Sequence, residues 1–324
     1  MKSAVRQQFR PNTAGIVFCV AVAASLLLQV VLFAALPHDA AQWCYTFAAP
    51  VLYIVATFVG GLFDGTDVPR ALGLTRAPRL WQMGLAAALA LACIFAFLPL
   101  AQGVSFLFDK MGYHGGPNYV DYTSSWGNML LGLVVLALMP ALGEEALCRG
   151  AVFGALKQKG TYFGIVLSAL LFALWHGSPV QLVHQFLIGI VMAVLVHLTR
   201  TVWVSVMFHF CNNAAVVLYE FAYTQTGWSY TIPWWVYLIM FVVGSAIVAL
   251  LLVAYARLTL RSAPPQEGAL TLDDDRPTAR LRRLADVHGE YTPYVKGQAM
   301  WGMYAAFAVV GVLWIINTVS GWMA

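Results

Sequence analysis

Residues 14–36 read AGIVFCVAVAASLLLQVVLFAAL, without a single charged side chain. The hydrocarbon core of a bilayer is about 30 Å thick, and a helix needs about 20 mainly apolar residues to cross it. Because lipid offers the backbone no hydrogen-bonding partners, an apolar run of this length is predicted to be a helix. The run follows Lys2, Arg6 and Arg10 as a secretion signal would, but it is longer than the roughly 7–15 apolar residues of such a signal. We therefore predict that it is retained as the first membrane span.

The whole chain has the composition of an integral membrane protein. Of its 324 residues, 61% are hydrophobic and 10% are charged, whereas soluble domains carry about 25% charged residues. This balance excludes a soluble enzyme and a secreted disulfide scaffold, and the net charge of +4 is too small and scattered for a nucleic-acid surface. The cysteines all lie in apolar runs without metal-type spacing, and we interpret them as small core residues.

Nine apolar runs are candidate spans, which predicts an all-α, polytopic helical bundle in the membrane. These runs are residues 14–36, 43–63, 81–101, 126–156, 161–177, 180–199, 201–221, 233–256 and 300–323. The corresponding division of the chain is 1–125 with helices 1–3, 126–221 with helices 4–7, 222–256 with helix 8, a basic linker at 257–299, and 300–324 with helix 9.

The distribution of lysine and arginine predicts the orientation of these spans. With the N-terminus in the cytoplasm, almost every basic residue falls on the cytoplasmic side, Lys110 alone lies outside, and Arg149 lies within a span. This asymmetry is the one that cytoplasmic loops show. We expect a multi-pass protein of the cell (inner) membrane with its C-terminus outside and the linker 257–299 in the cytoplasm.

Ionisable residues inside the predicted spans indicate where function lies, because a charge at the centre of a span costs roughly 2.5–3.5 kcal/mol on insertion scales. Glu145 and Arg149 are four residues apart with the acid first, which favours a helical ion pair that supports the site. Glu144 has no cation three or four residues away, so its partner must come from another helix. His176 is the candidate for that partner, and a carboxyl group beside an imidazole is suited to hold and deprotonate a water molecule.

His209 and Asn213 form the second element of the pattern. They are four residues apart, so both can direct N–H donors from one helix face to a single point, as an oxyanion requires. At about 1.5 Å per residue from the basic turns, Glu144, His176, His209 and Asn213 all reach overlapping depths in the bilayer. We interpret two further histidines, His184 and His197, as partners in hydrogen bonds between helices.

Taken together, Glu144-Glu145-x-x-x-Arg149, Phe172-x-x-x-His176 and His209-x-x-x-Asn213 resemble the motifs of the CPBP family of intramembrane glutamic endopeptidases. This family includes the type II CAAX prenyl proteases and abortive-infection or bacteriocin-immunity relatives, and the resemblance covers about 126–221. It implies an all-helical bundle of about eight spans with a polar cavity in the membrane.

The same resemblance implies the role of each residue. Glu144 would be the general base and would activate the hydrolytic water together with His176, while His209 and Asn213 would stabilise the oxyanion. Glu145 and Arg149 would support the site. No cofactor and no catalytic metal are expected, since the spacing does not match the zinc motif His-Glu-x-x-His.

The resemblance predicts an intramembrane endopeptidase whose partners are the lipid bilayer and a membrane-associated protein or peptide substrate, without nucleic acid. It leaves open whether that substrate is prenylated and what the oligomeric state is. One alternative is a non-catalytic immunity or scaffold protein of the same fold. Another is a proton-coupled transporter, for which charged groups along a path or two half-repeats are expected, and the sequence shows neither.

Overall fold

The computed structural model describes residues 6–114, 120–227, 232–262 and 299–323, and in these ranges the chain is an all-helical bundle. Most of the predicted linker 257–299 therefore lies outside the described residues. The helices are α1 (Pro11–Ala35), α2 (His38–Asp64), the short α3 (Val68–Ala71), α4 (Leu80–Lys110), α5 (Trp126–Lys159), α6 (Thr161–Trp175), α7 (Pro179–Thr199), α8 (Trp203–Thr226), α9 (Trp234–Ser262) and α10 (Trp301–Met323). The prediction of a polytopic helical bundle is confirmed.

Every predicted span corresponds to a helix, but not all of these helices fulfil the requirements of a span. Seven helices in the described part of the chain are long and apolar enough to cross a membrane. The two predicted spans outside this set are α6, which is apolar but has only 15 residues, and α8, which carries polar side chains. Length and composition thus support seven of the nine predicted spans.

The surface of the bundle is apolar, while much of its interior is lined by small residues. Large side chains such as Leu27, Phe63 and Leu250 are more than half exposed, as expected for helices that face lipid. Small residues inside let membrane helices approach each other closely. Gly15 of α1 and Gly302 of α10 show this, since a Cβ atom on either would overlap the other helix's backbone. The C-terminal helix is thereby held against the N-terminal one.

The cysteines only partly follow the prediction that they are core residues. Cys93 and Cys148 are buried, Cys19 and Cys211 are partly buried, and Cys44 is exposed on the surface of α2. A residue in an apolar run can face either the lipid or the core, so its place in the run does not show whether it is exposed or buried.

Helix α5, which carries the first motif, has an irregular hydrogen-bonding pattern. It changes from α to π geometry over Leu133–Leu138, returns to α over Met139–Glu145, and is π-helical again over Ala146–Phe153. Short π segments often occur at functional sites, because the wider turn changes which residues share a face. Glu144 and Glu145 lie in the regular turn between the two π segments.

Gly143 sets the distance between α5 and α2 beside this pair of glutamates. A Cβ atom at position 143 would lie 2.4 Å from the carbonyl oxygen of Pro50 and 2.7 Å from its Cα atom. Backbone atoms cannot yield as the end of a flexible side chain would, so only glycine permits this approach. Pro50 lies inside α2 and is buried at the contact.

We expect Gly143→Ala to lower the free energy of unfolding by about 1–3 kcal/mol, because the added methyl group forces α5 away from α2. Gly84→Ala is the matched control: Gly84 also lies in a helix, but its Cβ position has no neighbour within 4 Å. That change should be neutral or stabilising by up to about 1 kcal/mol. Unfolding of both variants in detergent measures the difference, and equal stabilities would contradict the assigned contact.

Candidate active site

A cavity of about 390 Å³ lies among α5, the end of α6, the beginning of α7 and α8. It collects the four residues predicted to act in catalysis, from three separate sequence motifs. Its polar lining residues are Tyr122, Glu144, His176, Gln181, His184, Gln185, His209, Asn212, Asn213 and Glu220. His184, which we interpreted as a partner in a hydrogen bond between helices, therefore belongs to the cavity wall. His197 is buried in α7 and is not among the lining residues.

Glu144 is the residue of this cavity with an unsatisfied acid oxygen. Its Oε2 atom is buried and makes no hydrogen bond, which agrees with the absence of a cation at helical spacing. A buried carboxyl oxygen without a partner is costly unless water or a ligand satisfies it. The cavity beside it has room for such a molecule.

Glu145, one residue further, turns away from the cavity into the protein. Its Oε1 atom accepts a hydrogen bond from Arg149 at 2.8 Å, and both side chains are fully buried. The predicted ion pair is therefore present, although the segment after Glu145 is π-helical. The guanidinium also lies over the ring of Phe172, 4.1 Å from its centre, and donates to the carbonyl oxygen of Gly189 at 3.4 Å.

The same carboxylate oxygen positions His209. Nδ1 of His209 lies 3.0 Å from Oε1 of Glu145, and because a carboxylate can only accept, this nitrogen carries a hydrogen. Nε2 is then the ring nitrogen that remains for chemistry. If Nε2 is also protonated, Glu145 stabilises the resulting imidazolium, as the aspartate of a catalytic triad does.

His176 is held in one tautomer by the backbone of its own helix. Its Nδ1 lies 2.8 Å from the carbonyl oxygen of Phe172, so Nδ1 donates and Nε2 has a free lone pair. Nε2 can therefore accept a hydrogen bond from water. The ring of Phe172 also packs edge-on against His176, with 4.6 Å between ring centres, which restricts the imidazole further.

Asn213 is anchored by a contact that spacing does not indicate. Its Nδ2 donates to the carbonyl oxygen of Leu136 at 3.0 Å, and its Oδ1 accepts from Asn212 at 3.2 Å. Leu136 lies in the first π segment of α5. An amide nitrogen has two hydrogens, so one N–H of Asn213 remains available for a ligand.

Two residues at the edge of the cavity were not predicted from the sequence. Tyr122 precedes α5, and its hydroxyl group donates to Glu220 of α8. Nearby, hydrogen bonds from Ser124 and Thr123 hold the pKa of the exposed Asp121 carboxyl below its usual value. Glu220 could have been found, because it is an acid at the end of the predicted span 201–221. Tyr122 gave no such signal.

Within the residues that the structure describes, no three or more His, Cys, Asp or Glu side chains are placed to hold a metal ion. The arrangement offers the carboxyl group of Glu144, an acceptor nitrogen on His176, one N–H of Asn213, and Nε2 of His209, which donates when that ring is protonated.

Comparison with known proteins agrees with the motifs. Residues 126–215 match the family model of type II CAAX prenyl endopeptidase Rce1-like proteins. The match confirms the resemblance to the CPBP and CAAX protease family over α5, α6, α7 and the first part of α8, which are the helices that form the cavity. A comparison with curated proteins found no match, and a comparison with solved structures found none either.

Residues 126–215 thus relate this multi-pass membrane protein to a family of CAAX-type intramembrane proteases.

Proposed function

We propose that this protein is an intramembrane endopeptidase that hydrolyses a peptide bond of a membrane-associated protein or peptide. The observation that carries the proposal is the cavity in which the unpartnered Oε2 of Glu144 shares one space with His176, His209 and Asn213. Residues 126–221 form the catalytic part in this proposal. The remaining helices surround it, with the N-terminus in the cytoplasm and the C-terminus outside.

In the proposed reaction, a water molecule binds between Glu144 and His176. Nε2 of His176 accepts one hydrogen bond from the water, and the carboxylate of Glu144 takes the other proton as the water oxygen attacks the peptide carbonyl carbon. General-base assistance of this kind typically contributes 10²–10⁴-fold to a rate. The protonated Glu144 then delivers its proton to the departing amide nitrogen, the C–N bond breaks, and an acid and an amine are released.

The negative charge on the tetrahedral intermediate is stabilised by one N–H of the Asn213 amide and by Nε2–H of His209 in its imidazolium form, which the carboxylate of Glu145 stabilises. Donors that are fixed before the reaction stabilise this charge without reorganising, and they are most effective where water is excluded. Glu145 fixes the ring of His209, and the carbonyl of Leu136 fixes the amide of Asn213. Each donor group is thus held in place by a hydrogen bond to a neighbouring residue.

Asn213→Ala tests the second donor. We expect kcat to fall by roughly 10²–10³-fold with little change in KM, because the lost N–H acts on the intermediate more than on the bound substrate. Steady-state kinetics on a membrane-associated peptide reporter measures both values. An unchanged kcat would refute the role of Asn213 while leaving that of Glu144 in place.

The substrate class can be tested by comparing membrane peptides from cells that carry the native chain with those from cells that carry Glu144→Gln. Fragments present only with the native chain identify both the substrate and the cleaved bond. If the two sets are identical in cells that express both forms equally, the proposal is wrong for that membrane, and the alternative of a non-catalytic immunity or scaffold protein is favoured.

A further inference from the structure

A second cavity, of about 290 Å³, lies at the end of the bundle where the basic turns are. Its wall combines the segment before α1, the connection from α2 to α4, and the ends of α5 and α7. The polar side chains that matter here are Gln8, Arg70, Arg76, Arg149, Lys157 and Arg200. No Asp or Glu of the described ranges lines it. Five cationic side chains thus surround one small space.

Arg149 distinguishes this cavity from a basic surface. Its side chain is fully buried, and its Nε atom has no hydrogen-bond partner. The carboxylate it contacts is shared, because Oε1 of Glu145 also accepts from His209. A buried guanidinium whose counterion serves two partners is incompletely compensated, and an anion nearby would reduce that cost.

The chemistry of the lining favours phosphate over other anions. Arginine presents planar, bidentate N–H groups that match phosphate oxygens. Three of the lining arginines come from connecting segments: Arg76, Arg200 and Arg70 of α3, the last of which also makes an exposed ion pair with Asp67. By the positive-inside rule this end faces the cytoplasm. Basic pockets between membrane helices on that side bind anionic headgroups.

We propose that this basic pocket binds a phosphate group, supplied either by the headgroup of an anionic phospholipid or by free phosphate. Arg149 lines the basic pocket and also donates to Glu145, the residue that holds His209 of the other cavity, so a chain of two hydrogen bonds connects the two sites. The proposal concerns binding and does not depend on peptidase activity.

The test uses the full chain in detergent with three ligands: inorganic phosphate, phosphatidic acid, and phosphatidylcholine with the same acyl chains. The shift in Tm reports binding to the folded state, and native mass spectrometry counts retained lipid. For the native chain we expect phosphatidic acid to raise the Tm and to remain bound more than phosphatidylcholine does. A shift with inorganic phosphate alone would identify free phosphate as the source.

Variants locate the site. Arg76→Gln with Lys157→Gln removes two cations from the pocket, and Arg257→Gln with Arg261→Gln removes two exposed cations from the end of α9, outside it. We expect the first pair to weaken binding at least about tenfold, because hydrogen bonds to charged groups are lost, and the second pair to bind as the native chain does.

Arg76→Glu covers the case in which the double variant does not fold, because Arg76 is exposed and its replacement leaves the core intact. It should weaken binding of the same ligand by at least as much. Equal binding by the native chain, the pocket variants and the α9 variants would overturn the proposal, as would the absence of any response by the native chain to phosphate or phosphatidic acid.

Discussion

We expect Glu144→Gln to reduce cleavage severely and to leave the protein folded. Glutamine keeps the size of the side chain but cannot take a proton from water, so the expected loss in kcat is about 10³–10⁴-fold, near the upper end for a general base. The fold should tolerate the change, because Oε2 makes no hydrogen bond that the substitution would break. Turnover of a membrane-associated peptide by purified protein, with the Tm measured in parallel, provides the test.

The control for this experiment is Asp39→Asn, which makes the same chemical change at an exposed position in the first turn of α2. It should retain native turnover. Full activity of Glu144→Gln would exclude Glu144 as the base, whereas loss of both activity and thermal stability would show that the residue supports the fold instead.

We expect Arg149→Met to destabilise the bundle by about 3–5 kcal/mol, because it leaves the buried Glu145 carboxylate without its arginine partner. Methionine keeps much of the apolar volume against Phe172, so the loss reports mainly on the unpaired carboxylate of Glu145. The free energy of unfolding in detergent measures it. Because Glu145 also fixes His209, we expect activity to fall with stability.

Two further variants separate the effect of the buried charge from that of packing. Arg70→Gln breaks the solvent-exposed ion pair with Asp67, and exposed pairs contribute at most about 1 kcal/mol. This variant should therefore lose no more than about 1 kcal/mol of stability. Glu145→Gln combined with Arg149→Met removes both buried charges and should recover part of the lost stability. If the single and double variants are equally unstable, the defect lies in packing and the electrostatic argument is wrong.

The sequence was sufficient to predict the helices, because lipid forces an apolar run to satisfy its own backbone. It also predicted which motifs meet, since a carboxyl group such as Glu144 cannot remain in lipid without polar neighbours. The pairing of Glu145 with Arg149 followed from spacing alone. In all three cases the backbone or the side chain must find a polar partner, and this requirement is stricter in the membrane than in water.

What the sequence could not predict depends on contacts between distant helices. The bond from His209 to Glu145 and the bond from Asn213 to Leu136 join residues more than sixty positions apart. The π segments of α5 are equally hidden, because no residue type specifies that geometry. Glu220 was overlooked because it lies at the margin of its predicted span.

The first π segment of α5 determines how the residues before it are rotated about the helix axis relative to the residues after it. Each residue turns the chain by about 100° in an α-helix and by less in a π-helix, so deleting one residue within Leu133–Leu138 would rotate the part of α5 after the deletion relative to the part before it. The carbonyl of Leu136 that binds Asn213 and the carboxyl group of Glu144 would then no longer face the same cavity. For the proposed reaction, the length of this segment therefore matters as well as the identity of its residues, and we expect single-residue insertions or deletions here to be as damaging as loss of a motif.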